Sequence, residues 1–576
     1  MFRHVYRYLR PTCGSIICRP NISCCCCGRQ LSVTAGLFKD NNNNNPKDNS
    51  GDNKNIDTIQ TTTTADSRQT TGSDVSVKAD DSEVDEYKWG PNEGVPYDPQ
   101  KDPALTVEHT PYKYPQFFTR QIRQMGLKRA VRIIKDDLSV LKTGRIKRPP
   151  WELPPPNEVD VAIFGGGIIG SAIAYFLKQR APQSFTCCVF ERDPTYTRAS
   201  TTQSIGGIRQ QFSLNENILM SMYGIDFLRD VKKHLSVLDN EPPDLRFHPH
   251  GHLVLATYAG AQQLVENHKL QTDLGAFVEL YTPDKLKEKF PWLNTDGIAI
   301  GSYGVQNEGW FDPWALLLAF KTKAQTLGVE YIQGDVLDFN LMTSNAANYD
   351  HSGQSRQQVN HVIYRNPDGF VKQMTFAAGI VCGGASSAVL ADKLDYGNKP
   401  GILSHPLPVE PRKRYVYVFN APDGPGIDFP LIMDPSSVYC RREGLGGNFI
   451  CGRNPSEDEE PDVSNLDVDY SYFDTHIYPQ LVNRVPAFSS AKIKGAWSGL
   501  IEYNTVDQNP IIGRDPYYGN LFWATGFSGQ GIQMAPAVGR AMNELFFDNG
   551  YQTIDLSRFS WQRILRNEPI KEAQIM

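Results

Sequence analysis

Between Val161 and Glu191 the spacing of apolar residues changes character twice. Val161-Ala162-Ile163-Phe164 is an unbroken apolar run, Gly165-Gly166-Gly167 interrupts it, Ile168-Ile169-Gly170 opens a new stretch, and Val189-Phe190 ends on Glu191. A short apolar run bounded by glycine reads as a buried strand, so this segment predicts strand, turn, helix, strand. Phe311 to Gly328 reads as a helix, opened by Asp312-Pro313 and closed by Gly328. Short strands are expected at Val329-Glu330-Tyr331-Ile332 and Val336-Leu337-Asp338-Phe339. Phe376 to Gly384 is an apolar strand running into glycine, and from Pro411 to Phe419 Arg412 and Arg414 alternate with Tyr415, Tyr417 and Phe419 as strand residues do. Late in the chain the first pattern returns: Leu521-Phe522-Trp523-Ala524-Thr525 precedes Gly526-Phe527-Ser528-Gly529-Gln530-Gly531 and a helix ending near Leu545. Two such turns so far apart imply one domain assembled from separated segments.

Before Val161 the pattern is different. Leu127, Val131, Ile134, Leu138 and Leu141 recur at steps of four and three, which puts them on one helical face, with Lys128, Arg129, Arg132 and Lys135 around them. Residues 113–148 therefore read as a basic amphipathic helix, able to lie on an anionic membrane, dock on a partner or pack on the protein's own body. Residues 40–112 read as a disordered linker, most clearly at Asn41 to Asn45 and Thr61 to Thr64.

Charge and cysteine usage refine this picture. Over 576 residues the net charge is −6, yet residues 1–39 hold no Asp or Glu and carry Arg3, Arg7, Arg10, Arg19, Arg29 and Lys39. An acid-free, arginine-spaced opening matches a mitochondrial transit peptide, the alternative being a disordered basic tail. The acidic remainder argues against non-specific nucleic-acid binding. Six of the 11 cysteines fall in that opening; Cys187, Cys188, Cys382, Cys440 and Cys451 are scattered in apolar or glycine-rich surroundings and read as reduced core thiols. No metal site is expected. His248, His250 and His252 alternate around Pro249 and Gly251 without carboxylate or cysteine at ligand spacing, and read as an exposed turn.

The first glycine turn carries chemistry. Gly165 permits the tight turn, Gly167 leaves room for a pyrophosphate at the helix N-terminus, and Gly170 lets the helix lie close on the sheet. Glu191 ends the second strand where a carboxylate can accept from ribose hydroxyls, which favours NAD or the ADP half of FAD over NADP. The late turn favours FAD. Its backbone N–H groups form a donor set at a helix N-terminus, suited to the partial negative charge of a reduced flavin edge.

With both turns in view the chain, over about residues 157–550, resembles the D-amino-acid oxidase and sarcosine/glycine oxidase family of FAD-dependent oxidoreductases. Matching segments include Arg198-Ala199-Ser200-Thr201 before Gly206-Gly207, Ile380 to Ala385, Asp507 to Gly513 and the late turn. The resemblance implies an α/β fold: a discontinuous glutathione-reductase-like FAD-binding domain (157–240, 315–400, 495–548), a mainly antiparallel β substrate domain (241–314, 401–494) and a C-terminal tail (549–576). It implies FAD contacts from Gly165, Gly167, Ile168, Ile169, Gly170, Glu191, Arg192, Ser200, Thr201, Gly206, Gly207, Val336, Gly384, Gly526, Gly529, Gln530, Gly531, Ile532 and Gln533. Covalent attachment is not implied, because Thr202-Gln203-Ser204 holds no His and no Cys lies near Leu500, where some relatives tether the flavin. Gln530 replaces the family histidine, and Gln533 stands where amine-oxidising relatives carry a Lys.

Longer strings, among them Leu407-Pro408-Val409-Glu410-Pro411-Arg412-Lys413-Arg414-Tyr415-Val416 and Asn307-Glu308-Gly309-Trp310-Phe311-Asp312-Pro313-Trp314, are similar to a mitochondrial branch of the family that serves assembly of respiratory complex I. That resemblance implies complex I subunits or assembly intermediates as partners and a matrix-side location, peripheral on the inner membrane through the basic helix. Two functions stay open: such an assembly factor, or a matrix flavoenzyme oxidising a small amine, amino acid or 2-hydroxy acid. Oxidation of this kind needs a cation for a carboxylate and aromatic walls. The candidate catalytic residues are Arg209, Arg414, Tyr415, Tyr503 and Gln530, with Arg441, Arg453, Tyr417 and Tyr439 beside them.

Overall fold

The computed structural model describes residues 155–237, 240–341 and 357–573. The expected transit peptide, the linker and the basic helix of residues 113–148 lie outside the described residues.

One eight-stranded sheet runs in the order Ile511–Arg514, Leu521–Thr525, Val371–Val381, Glu158–Phe164, Cys187–Glu191, Val329–Gln333, with Val359–Arg365 and Asp335–Leu341 attached beside Val371–Val381. Its centre is parallel: Glu158–Phe164 pairs in parallel with both Val371–Val381 and Cys187–Glu191. Parallel strands are covered on both faces, which explains the unbroken apolar runs. Ile163, Val189 and Ile380 are fully buried.

The helix Ile168–Arg180 follows the first strand and the helix Gly531–Phe547 follows Leu521–Thr525. These helices touch through small residues: a Cβ on Gly539 would sit 2.6 Å from the Phe176 ring and 3.0 Å from the Ala172 backbone. That contact brings the two glycine turns, some 360 residues apart in sequence, to the same edge of the sheet.

A second eight-stranded sheet runs Lys492–Asn504, Val409–Asn420, Asn448–Arg453, Val438–Glu443, Leu431–Met433, His252–Ala256, Ile300–Gly304, Val278–Tyr281. All its pairings are antiparallel except Leu431–Met433 with His252–Ala256. Alternation sorts its faces. Leu253, Leu255, Tyr417 and Phe419 pack into its outer core, whereas Val254, Ala256, Leu431 and Met433 face the other way.

Three expectations are corrected here. Residues 495–504 belong to the edge of the second sheet, paired with Val409–Asn420 from Val409↔Asn504 onward, and not to the nucleotide sheet; period-two alternation announces a strand but not which sheet receives it. Residues 549–573 are not a separate tail. Phe559, Trp561 and Leu565 are buried, and Arg563 donates to both carboxylate oxygens of Asp507 at 2.8 and 3.0 Å. Nor do the three histidines share an exposed turn, for only His248 is exposed and His250 is half-buried. The His248 and His250 rings lie 5.6 and 5.3 Å from Trp310, and His252 opens a strand and is buried. Cys187, Cys188, Cys382, Cys440 and Cys451 are buried free thiols. Among the described residues no helix is long and apolar enough to cross a membrane.

Candidate cofactor and substrate site

A cavity of about 420 Å³ lies between the two glycine turns and the inner face of the second sheet. Its floor is the first turn. Gly165 has φ +120°, and a Cβ there would lie 2.1 Å from the Cys382 carbonyl oxygen. Gly167, in contrast, has ordinary extended backbone, and a Cβ would meet only Thr201 Oγ1 at 3.6 Å. The space in front of the helix N-terminus is therefore open. Gly384 and Gly529 border the cavity with similar room: nothing lies within 4 Å of a Cβ at Gly384, and only Ile501 Cγ2, at 4.0 Å, approaches one at Gly529.

Donors and acceptors surround this cradle. Ile168 N donates to Thr201 Oγ1 (3.3 Å), and the two oxygens of Glu191 accept from Gly166 N and Asp193 N at 2.9 and 2.8 Å. Those backbone bonds fix the carboxylate at the end of its strand while each oxygen keeps a second lone pair for a ribose hydroxyl. A glycine cradle, a helix N-terminus and a held carboxylate on one cavity fit the phosphate and ribose of a dinucleotide. Sixteen of the expected FAD contacts line it: Gly165, Gly167, Ile168, Ile169, Glu191, Arg192, Ser200, Thr201, Gly207, Val336, Gly384, Gly529, Gln530, Gly531, Ile532 and Gln533.

Three expected contacts act behind the wall. A Cβ on Gly170 would lie 1.9 Å from Gly165 O, one on Gly206 1.9 Å from Phe311 O, and one on Gly526 3.0 Å from Val409 Cγ2. Gly170 and Gly206 allow backbone segments to approach one another and Gly526 makes room for the Val409 side chain; none of the three is among the residues lining the cavity.

The second sheet roofs the cavity with residues on one alternating face, among them His252, Leu431, Met433, Tyr439, Arg414 and Val416. Tyr415 falls on the opposite face, its ring 6.2 and 5.6 Å from those of Tyr417 and Tyr472. Tyr503 also lies outside, stacked 3.6 Å from the Arg412 guanidinium. Neither tyrosine is among the residues lining the cavity: Tyr415 is one residue out of phase with Arg414, and Tyr503, opposite Glu410, lies further along its strand than the lining residues Gly499 and Ile501.

The four candidate arginines separate by their partners. Arg414 gives both Nη atoms to Glu460, at 2.7 and 2.9 Å. Arg441 donates to Ile205 O at 2.9 Å and to Glu443. Arg453 donates to Glu459 at 2.6 Å and to Tyr472 Oη at 3.0 Å. Arg209 lines the cavity with its guanidinium 4.9 Å from the Phe212 ring, and among the described residues that guanidinium makes no hydrogen bond or ion pair. Its backbone is held instead: Gln533 Oε1 accepts from Arg209 N at 2.8 Å, and Gln533 Nε2 donates to Gln530 Oε1 at 3.2 Å. Thus Gln533 and Gln530 connect the late turn to Arg209, the candidate arginine whose guanidinium makes no hydrogen bond or ion pair among the described residues.

The lining residue Glu502 and the buried Glu308, which is not part of the lining, carried no recognisable signal in the sequence. Glu502 accepts from Thr525 Oγ1 at 3.0 Å and Gly526 N at 3.1 Å, and burial pushes its carboxyl up to about 7. Buried Glu308 accepts from Gln210 N (2.7 Å) and Gln211 Nε2 (2.8 Å), and burial likewise pushes it up to about 7. A lone Glu looks the same whether it faces solvent or core, both within a strand, as at Glu502, and just before one, as at Glu308.

Comparison with known proteins agrees with this geometry. Residues 160–545 match the family described as FAD dependent oxidoreductase. The chain is 47% identical over 427 residues to "FAD-dependent oxidoreductase domain-containing protein 1" of Xenopus laevis, covering 73% of this chain and 86% of that protein. Among solved structures it is similar to L-proline dehydrogenase from P. horikoshii (TM-score 0.60, 22% identity, 72% of this chain and 100% of that one). It is also similar to glycine oxidase from Geobacillus kaustophilus (TM-score 0.56, 21% identity, 70% and 98%). The open glycine cradle, the Glu191 carboxylate and the match over 160–545 lead to one conclusion: this chain belongs to the FAD dependent oxidoreductase family, with FAD as its cofactor.

Proposed function

We propose that this protein oxidises a small carboxylate-bearing amine or amino acid, holding the carboxylate with Arg209. One observation carries the reading: of the four candidate arginines, Arg209 alone has a guanidinium that makes no hydrogen bond or ion pair among the described residues, and it lines the cavity. Burial lowers its affinity for a proton, opposed by the charges of Glu572 and Glu308; a guanidinium nonetheless stays charged. An arginine fork matches a carboxylate in two parallel hydrogen bonds, which orients as well as binds. Bound FAD supplies the hydride acceptor, so the protein's task is to place the substrate's α-carbon and to keep water out. Leu431 and Met433 do the second by covering the cavity with apolar surface. Solved neighbours named as L-proline dehydrogenase and glycine oxidase support this substrate class. The absence of His or Cys at Gln203, Ser204 and Leu500 of the cavity wall supports a non-covalently bound FAD.

The test is anaerobic reduction of the purified holoprotein by a panel of amino acids, N-methylamines and 2-hydroxy acids, read as flavin bleaching. At least one should bleach the flavin, and Arg209→Leu should raise its KM by roughly 100-fold, the loss of about 3 kcal/mol of charge-assisted hydrogen bonding. No bleaching by any compound would remove the enzyme reading.

A second reading is assembly of respiratory complex I at the matrix face of the mitochondrial inner membrane. It draws support from the acid-free, arginine-spaced residues 1–39 and the basic residues 113–148. Cells lacking the protein should then lose complex I on native gels. Rescue by Arg209→Leu as complete as by wild type would make assembly independent of turnover, and undiminished complex I without the protein would end this reading.

A further inference from the structure

Glu502, near the end of the strand Lys492–Asn504, lines the cavity and keeps 8% of its surface exposed. Its Oε2 accepts from Gly526 N and Thr525 Oγ1, and its backbone carbonyl accepts from Ser528 N at 2.9 Å, so main chain and side chain both hold the late turn. Thr525 Oγ1 also lies 2.6 Å from the buried Ser387 Oγ. One hydroxyl hydrogen cannot serve both neighbours, which gives the three groups two arrangements. Ser387 donates to Thr525 and Thr525 to a charged Glu502, or a protonated Glu502 donates to Thr525 and Thr525 to Ser387. The wall is satisfied with the proton or without it.

The elements packed around this carboxyl bring it no cation. Pro411 is its register partner on Val409–Asn420, and Arg412, one residue on, stacks on Tyr503 and gives its guanidinium to Glu410, Glu457 and Glu460. Arg414, on the same cavity, is paired with Glu460, and Arg209 makes no ion pair among the described residues. The strand Val371–Val381 runs into Cys382, a thiol pushed above its usual range by burial first and by the Glu502 charge second. The helix Ser387–Asp392 contributes the neutral Ser387 hydroxyl. Desolvation is therefore opposed only by the hydrogen bonds of the late turn, and the carboxyl stands at about 7.

That turn opens the helix Gly531–Phe547, whose N-terminal N–H groups suit the partial negative charge of a reduced flavin. A second negative charge in the same enclosed wall disfavours a charged Glu502. We infer that Glu502 is a proton-accepting residue coupled to the cofactor, taking up a proton when bound FAD is reduced and releasing it on reoxidation. Two electrons and one proton go to FAD, and one further proton forms an O–H bond on Glu502. A C–H and an N–H of an amine substrate supply both electrons and both protons in turnover; dithionite and solvent supply them in the test. The inference rests on FAD as the cofactor and is independent of Arg209 and of the substrate.

Midpoint potentials of the holoprotein, measured between pH 7 and pH 8.5, give the number of protons taken up per two electrons. Wild type should take up close to two. Glu502→Gln, which keeps an acceptor for Gly526 N and Thr525 Oγ1 but does not titrate, should take up one. In wild type a carboxylic C=O band should appear in the reduced-minus-oxidised infrared difference spectrum and shift in D2O, and it should be missing from the variant. One proton in wild type, two in both proteins, or a wild-type spectrum without the band overturns the inference, and none of these outcomes touches the Arg209 reading. Flavin content and melting temperature show whether Glu502→Gln is folded and loaded. If it is not, the comparison passes to Glu502→Asp, which keeps a carboxyl and should retain the second proton and the band; loss of both in a loaded Glu502→Asp counts against the inference.

Discussion

Replacing Gly167 by alanine separates the fold from its cofactor. The backbone there, φ −64° and ψ −170°, is open to any L-residue, and the added Cβ would meet only Thr201 Oγ1, at 3.6 Å. The apoprotein should thus be unharmed and gain about 0.4–1 kcal/mol from the less flexible unfolded chain. The methyl group, however, occupies the space before the Ile168–Arg180 helix in which a pyrophosphate takes backbone hydrogen bonds. Losing one or two charge-assisted bonds costs about 3 kcal/mol, roughly a 100-fold rise in Kd. By linkage, the extra stability conferred by saturating FAD falls by about the same amount. Gly170→Ala is the contrasting control: its Cβ would lie 1.9 Å from Gly165 O and 3.3 Å from Ile163 Cγ2, so stability should drop with or without FAD. Fluorescence titration of apoprotein with FAD gives Kd, and thermal melts with and without FAD give the two stabilities. A wild-type Kd for Gly167→Ala would refute the placement of the phosphates at this helix.

Arg563→Met should destabilise the protein by about 3 kcal/mol in urea unfolding, the lower end for breaking a buried pair, because Asp507 keeps Ile570 N, Asn504 Nδ2 and Asn509 N as donors. A loss below about 1 kcal/mol would show that the C-terminal segment is not anchored there. Glu502→Gln should alter pH dependence. The folded carboxyl is raised to about 7 from an ordinary 4.5, so the fold retains a proton that the unfolded chain releases; stability falls as pH rises between those values, by up to about 3 kcal/mol. The glutamine keeps an acceptor for Thr525 Oγ1 and Gly526 N and should lose this slope, measured as the difference in unfolding free energy between pH 5 and pH 8; equal slopes would refute it. Arg180→Ala, which removes an ion pair with Asp548 between side chains 40% and 29% exposed, should change stability by less than about 1 kcal/mol, and a larger loss would mean the pair is better shielded than its exposure indicates.

Much of the nucleotide half was legible because its signals are local. The run Val161 to Phe164, the turn at Gly165 to Gly167 and the acid at Glu191 each follow from what one strand, one turn and one helix N-terminus require, and all three lie in the segment expected to hold them. The reduced, buried state of Cys187, Cys188, Cys382, Cys440 and Cys451 was equally readable from their apolar neighbours.

Phase and partner were not local. Arg414 and Tyr415 are neighbours in a strand whose alternation was evident, but only the sheet decides that Arg414 faces the cavity and Tyr415 the outer core. Arg209, Arg414, Arg441 and Arg453 look alike in sequence; Glu460, Glu443 and Glu459 neutralise the last three, leaving Arg209 for a ligand. The histidines illustrate the limit best. His248-Pro249-His250-Gly251-His252 invites an exposed-turn reading, yet pairing with Leu431 draws His252 into a strand and buries it beside Arg209. Residue type and spacing by themselves determined the cofactor, since backbone geometry at a glycine turn depends on a few adjacent residues. What the cofactor acts on was left to the tertiary structure, because charge, exposure and hydrogen-bond partners are set by residues hundreds of positions away.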